Sequence, residues 1–238
     1  MNVLIVGATG GSGRAATAAA LAEGHRVTVF ARRASALLAE YPSAVAIDGD
    51  AMDPGQVAAA VEGQDAVIVS LGISENALRV RLRGSRHTPM DVRSAGTRNV
   101  ITAMQDHGVR RLVVQTSYGV GETRERLPLV ERIVFKLLLR PQIADTEVQE
   151  REVRGSELDW VIVQPVNLTD HDVADLPYAS VDGDVQGMKV ARSSVGRFLA
   201  QALSDERLTR RSVALSGTGE GLVPAPGPGA RRGSRVRT

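Results

Sequence analysis

Residues 2 to 14 read NVLIVGATGGSGR. Asn2 to Val6 is a short run rich in Val, Ile and Leu, and it stops at Gly7. The alanine-rich stretch that follows, Ser12 to Glu23, has the composition of a helix. Between them stand Gly7, Gly10 and Gly13, three residues apart. A strand that turns through such glycines into a helix suits the grip on a dinucleotide. One glycine makes the tight turn, one lets the backbone approach a pyrophosphate, and one lets helix and strand pack closely, while the first helical amides face the anion. Three glycines so spaced also occur by chance in a bare tight turn, and it is their place after the first strand of a strand–helix series that decides the reading.

The same alternation continues along the chain. Arg26–Phe30, Ala44–Ile47, Ala66–Ser70, Arg111–Thr116 and Trp160–Gln164 read as further buried strands. Ala34–Glu40, Pro54–Val61, Ser94–His107 and Asp145–Arg154 read as helices between them, and Asp53 before Pro54 is a cap followed by a first-turn proline. Strand and helix in turn predict an α/β fold, a Rossmann-type doubly wound parallel sheet with helices on both faces and small C-terminal elements on the substrate side. On such a sheet ligands bind beyond the carboxyl ends of the strands.

Composition narrows the function. With 238 residues, 43% of them hydrophobic, the chain suits one domain over 1–217. Residues 218–238, rich in Gly, Pro and Arg, are expected to be a disordered tail. That tail contributes +3 to a total formal charge of +2, which leaves a body at −1. With 3% aromatics the body lacks the basic face and stacking rings of a nucleic-acid binder. No cysteine is present and the four histidines have no ligand spacing, so no metal site is expected. No run approaches the ~20 apolar residues that span a bilayer, and no basic leader precedes Val3–Val6; a cytoplasmic protein without membrane contact is expected.

The end of the second strand selects the cofactor. Enzymes for NAD place Asp or Glu there to hold the ribose 2′-hydroxyl, whereas a 2′-phosphate calls for arginine. Here the strand runs into Ala31, Arg32 and Arg33, with Arg14 as a further cation and Ser35 as a hydroxyl, so NADP(H) is expected over NAD(H). A solvated pair is the plainer reading of Arg32 and Arg33. Asp50 beside the small Ala51 suits an adenine edge, Asp53 a helix cap, and Asp48 has no evident task.

GATGGSGR, the strand ending in Arg32, GDAMD, VSLG, DVRSAGTRNVITAMQDHGVRRLVVQTSYG and SELDWVIVQPVNLTD together resemble the atypical short-chain dehydrogenase/reductases. Within them the pattern is most similar to the NAD(P)H-binding group that holds the biliverdin reductase B (flavin reductase) type and the NmrA-like proteins. The resemblance runs from Met1 to about Leu203. It implies that Gly7, Thr9, Gly10, Gly11, Ser12, Gly13 and Arg14 line the phosphates, and that Arg32 and Arg33 hold the 2′-phosphate with Asp50 and Ala51 at adenine. It further implies Ser70, Leu71 and Gly72 beneath the nicotinamide ribose, Thr116 and Ser117 beside the nicotinamide, and Pro165, Val166, Asn167 and Leu168 over its far side. The activity implied is hydride transfer between NADPH and a small organic acceptor.

The departures from that pattern are chemical. Short-chain dehydrogenases pair a tyrosine with a lysine four residues later. Tyr41, Tyr118 and Tyr178 are followed at that spacing by Val45, Glu122 and Asp182, and the chain's lysines are Lys136 and Lys189 alone. Where many relatives place a lysine ten residues before the serine of Ser156, this chain has Thr146. Ser117 and Tyr118 therefore stand as the catalytic candidates, Ser117 first, as a donor to a substrate carbonyl. A non-catalytic NADP(H) sensor of NmrA-like type is the alternative, and an epimerase or dehydratase a weaker one. Leu127–Leu139 is apolar nearly all round, which suits core packing, a lid over a flat or aromatic substrate, or a homo-oligomer contact. Arg79, Arg81, Arg83 and Arg86 form a basic loop that is solvated or steers an anion.

Overall fold

The computed structural model describes residues 1–72, 88–127, 140–217 and 222–223. The first half is the expected series: β1 (Asn2–Val6), α1 (Gly11–Ala22), β2 (Arg26–Ala31), β3 (Val45–Asp48), α2 (Pro54–Val61) and β4 (Ala66–Val69). The second half runs α3 (Val92–Asp106), β5 (Arg111–Gln115), α4 (Arg140–Gly155), β6 (Asp159–Pro165), β7 (Asn167–Thr169), β8 (Tyr178–Ser180), β9 (Lys189–Ala191), α5 (Arg192–Gln201), β10 (Arg211–Ser216) and β11 (Leu222–Val223).

The main sheet has the order β11-β8-β10-β6-β5-β4-β1-β2-β3. From β3 to β10 all pairings are parallel, with Val3 opposite both Val27 and Ala66. β8 joins antiparallel to β10. The order reverses between β1 and β4, so the crevice above Gly7 is the switch point where such sheets bind ligands. Continuous Val, Leu and Ile runs are what a strand buried on both faces requires, and Val3 to Val6 are fully buried.

Each face has its own core. On one, α1 and α5 pack through Ala16, Ala20, Val195 and Leu199 against Val3, Ile5 and Val113. On the other, α2, α3 and α4 pack through Val57, Val100, Met104 and Val153 against Leu4, Val6 and Leu112. α1 and α3 thus lie on opposite faces of the sheet, a separation that matters for the site.

Some expectations fail for physical reasons. Ala34–Glu40 is no α-helix; only Ala34–Leu37 forms a 3₁₀ turn. The Leu37 carbonyl accepts from both Glu40 N and Tyr41 N, and Pro42 then ends the turn. α5 and β10 lie beyond the expected elements: α5 opens with Arg-Ser-Ser and contains Gly196, which masks its periodicity. Within the expected tail, Leu222 and Val223 pair with Ala179 and Ser180; the other residues of 218–238 lie outside the described ones, as do Arg79, Arg81, Arg83, Arg86 and all of 127–139 except Leu127. Among the described residues, no helix is long and apolar enough to cross a membrane and no cluster of acidic and histidine side chains could hold a metal.

Candidate cofactor and active site

The glycine-rich turn is closed by backbone alone. Gly7 N donates to the Phe30 carbonyl at 2.9 Å and Gly10 N to the Gly7 carbonyl at 3.2 Å. Gly7 has φ +85°, and a Cβ there would lie 2.4 Å from the Ser70 carbonyl oxygen. A Cβ at Gly13 would lie 2.3 Å from the Gly7 oxygen, so this glycine lets α1 press against the strand end. Gly10 differs: a Cβ would meet only the Gly7 oxygen, at 3.5 Å, so its outer side is open. No side chain caps α1, and Thr9, Gly10 and Gly11 are exposed. The first-turn amides therefore face outward as free donors, the arrangement an anion needs. Ser12 is buried, so it can offer only its amide.

Two arginines frame this turn. Arg14 donates Nε to the Thr9 carbonyl at 3.3 Å and forms an ion pair with Glu40. Arg192, at the start of α5, lies flat across Gly11: its Cδ and Nε would be 2.9 and 3.0 Å from a Cβ there. Its guanidinium is held by Asp170. The sequence gives Arg192 no motif, because fold alone carries it over the glycines.

At the ends of β2 and β3, Arg32 and Arg33 are exposed, and Arg32 Nη2 donates to Thr88 Oγ1 at 3.1 Å. Ser35 is spent elsewhere: its amide and hydroxyl donate to the Asp48 carboxylate at 2.8 and 2.7 Å. These bonds hold the Asp48 carboxyl below its usual range. Asp48 thus has a task, and it brings a carboxylate to the arginine turn from thirteen residues away. Asp50 accepts from Met52 N at 3.0 Å and presents an exposed side chain, while Ala51 is buried with its carbonyl held by Asn99 Nδ2 at 2.9 Å. Asp53 caps α2 through Gly55 N and Gln56 N, as expected.

Beyond β4 and β5 the side chains turn inward. Ser70 N donates to the Val6 carbonyl at 2.9 Å, and its hydroxyl sits 3.5 Å from Gln115 Oε1. Thr116 is buried and donates Oγ1 to Glu150 Oε1 at 2.8 Å, so only its backbone can line the cleft. Tyr118 is buried in the α1-side core, and its hydroxyl donates to the Gly183 carbonyl at 3.1 Å. The phenol is engaged within the protein, which leaves it a positioning part. Ser117 is half-buried and, among the described residues, its hydroxyl makes only a long 3.4 Å contact to the Tyr118 carbonyl. Val166 is buried, Asn167 exposed and Leu168 half-buried as β6 leads into β7.

Thr146, where the resemblance leads one to look for lysine, donates Oγ1 back to the Gln142 carbonyl of its own helix at 2.8 Å. One turn on, Glu150 is buried among Thr116, Gln164 Nε2 at 2.8 Å and Arg154 Nη1 at 3.1 Å. Burial raises its pKa, and the bonds from Gln164 and Thr116 oppose that rise. This carboxylate ties β5, α4 and β6 together beneath the cleft.

Comparison with known proteins fits this geometry. The chain is similar in structure to the oxidoreductase ylbE from Lactococcus lactis, at 16% identity and TM-score 0.74, covering 92% of this chain and 91% of that one. It is similar to ChuY, an anaerobillin reductase from Escherichia coli O157:H7, at 24% identity and TM-score 0.70, covering 94% and 100%. A wide-type short-chain dehydrogenase/reductase from Veillonella parvula in complex with NADP matches at 18% identity and TM-score 0.69, covering 92% and 95%. At these identities the likeness shows the shared fold. The family model described as NAD(P)H-binding matches residues 7–206, and the chain belongs to that family.

Proposed function

We propose that the chain is an NADPH-dependent oxidoreductase of the atypical short-chain type, acting on a small, flat or aromatic organic acceptor. The observation that carries this is the uncapped first turn of α1 behind an open Gly10, at the switch point of the sheet. When bound there, reduced nicotinamide supplies a hydride and is left oxidised. The α1 amides receive the diphosphate, and Arg14 and Arg192 stand within reach of the same anion. Arg32 and Arg33 hold the 2′-phosphate, with Asp50 and Ala51 at adenine. At the adenosine end the exposed Arg32 and Arg33 stand beside the carboxylates of Asp48 and Asp50, so the two arginines support NADPH over NADH by a smaller margin than they would alone.

Beyond β5, Ser117 has a hydroxyl with no strong partner among the described residues, so it donates to the acceptor carbonyl, and water supplies the proton that completes reduction. The Tyr118 hydroxyl, fixed on Gly183, orients the loop that carries Ser117. That same bond, with Thr146 in place of lysine, supports the second reading: an NADP(H) sensor that binds and turns nothing over.

The cofactor assignment is tested by titrating NADPH and NADH against the wild type and Arg32→Ala. A charge-assisted bond to phosphate contributes roughly 1.5–3 kcal/mol, so the variant should bind NADPH about ten- to a hundredfold more weakly and NADH as before. Equal wild-type affinities for the two cofactors would overturn the preference.

A further inference from the structure

Arg93 stands in the first turn of α3, and its guanidinium reaches toward the carboxyl end of β4. A Cβ on Gly72, which is exposed, would lie 3.2 Å from Arg93 Nη2 and 3.6 Å from its Cζ. Among the described residues, no hydrogen bond or ion pair engages that guanidinium; the bond Arg93 makes is through its amide, to Asp145 Oδ2 at 3.0 Å. Asp145, the nearby carboxylate, spends both oxygens on the α3 N-terminus: Oδ2 takes Arg93 N, and Oδ1 takes Ser94 N at 3.1 Å and Ser94 Oγ at 2.5 Å. Burial pulls the guanidinium below the ordinary arginine range, against the field of Asp145. A half-buried cation with no bonded partner is costly, and an anion that pairs with it would remove that cost.

The position narrows which anion. The diphosphate receptor, the α1 N-terminus, belongs to the opposite face of the sheet from α3. Arg93 instead sits where α3 meets α4 through Asp145, and α4 covers β5 and β6, the strands that lead to Ser117 and Pro165. We infer that Arg93 receives an oxyanion, carboxylate or phosphate, carried by the acceptor, so that the acceptor is an acidic molecule docked between Gly72 and the start of α3. The planar fork of guanidinium matches two oxygens of either group. The word acceptor rests on the oxidoreductase reading; the anion site does not.

The test uses binding, not turnover. Riboflavin and flavin mononucleotide share one ring system and differ by a single phosphate. Both are titrated against the full chain, with and without saturating NADP⁺, for the wild type, Arg93→Gln and Arg93→Lys. The wild type should prefer the mononucleotide by about ten- to a hundredfold, the Gln variant should lose that preference, and the Lys variant should keep part of it, since charge remains and the fork is gone. NADPH affinity should be equal in all three. A wild type without preference, or a Gln variant that retains it, overturns the inference. So does a Gln variant that loses NADPH and NADH affinity alike, which would move Arg93 onto the cofactor diphosphate. If the Gln variant does not fold, the reduced preference of the Lys variant decides. A wild type that binds neither cofactor would sink the oxidoreductase reading, while the titration without NADP⁺ still judges Arg93.

Discussion

The two halves of the cleft are built differently. At the glycine turn, from Gly7 to Gly13, the work is done by backbone: amides left open at α1 and glycines pressed against Ser70 and Gly7. Beyond β5 and β6, from Thr116 to Leu168, it is done by side chains locked to distant partners, Thr116 to Glu150 and Tyr118 to Gly183. The first half depends on local conformation and tolerates few residue types. The second depends on which groups remain unspent once the interior is satisfied, and Ser117 is one of them. A site of the first kind announces itself in a short stretch of sequence; one of the second kind is set by tertiary contacts.

The largest expected effect breaks the backbone half. Gly7→Ala combines a left-handed φ of +85° with a Cβ 2.4 Å from the Ser70 oxygen. Strain and overpacking together cost roughly 2–5 kcal/mol. At ~2–4 °C per kcal/mol, calorimetry should show the melting temperature falling by about 4–20 °C, with NADPH binding lost. A variant that melts like the wild type would mean that the turn does not need its glycine.

A smaller effect should separate the two neighbours of the acceptor half. Ser117→Ala should lower turnover by about ten- to a hundredfold and leave NADPH affinity alone, the pattern of a donor that acts on the reacting group. Tyr118→Phe should leave turnover closer to the wild type and instead cost about 1 kcal/mol of stability, because the Gly183 carbonyl loses its donor. The opposite assignment of effects would make the phenol the acid and Ser117 the positioning residue.

The smallest effect concerns neither half. Truncation after Gly217 removes β11, a two-residue strand on β8, and should shift the melting temperature by less than about 3 °C. A larger drop would show that this pairing carries weight in the fold.

What was legible in the sequence follows the same division. The order of strands and helices, the glycine turn and the Asp53 cap could be read because each is written within a few adjacent residues. Ala34–Glu40 misled, since its alanines and leucines suit a helix, whereas Asp48 seizes Ser35 and Pro42 closes the segment. The same pairing hid a carboxylate beside the arginine turn. Glu150 and Arg192 carry no motif, and nothing in the stretch around Arg93 marks its guanidinium; their places are fixed by Thr116 and Gln164, by Gly11 and Asp170, and by Asp145. Those partners sit far away along the chain, so periodicity offers no sign of them.

The central claim is that this cleft transfers hydride. The most direct measurement follows the absorbance of NADPH while the protein is presented with a panel of quinones, flavins, enones and aldehydes, acidic members included. NADPH should be consumed with one equivalent of reduced acceptor formed per cofactor oxidised, faster for the acidic acceptors and slowed in Ser117→Ala. Tight NADPH binding with no consumption by any acceptor would contradict it and leave the sensor reading in its place.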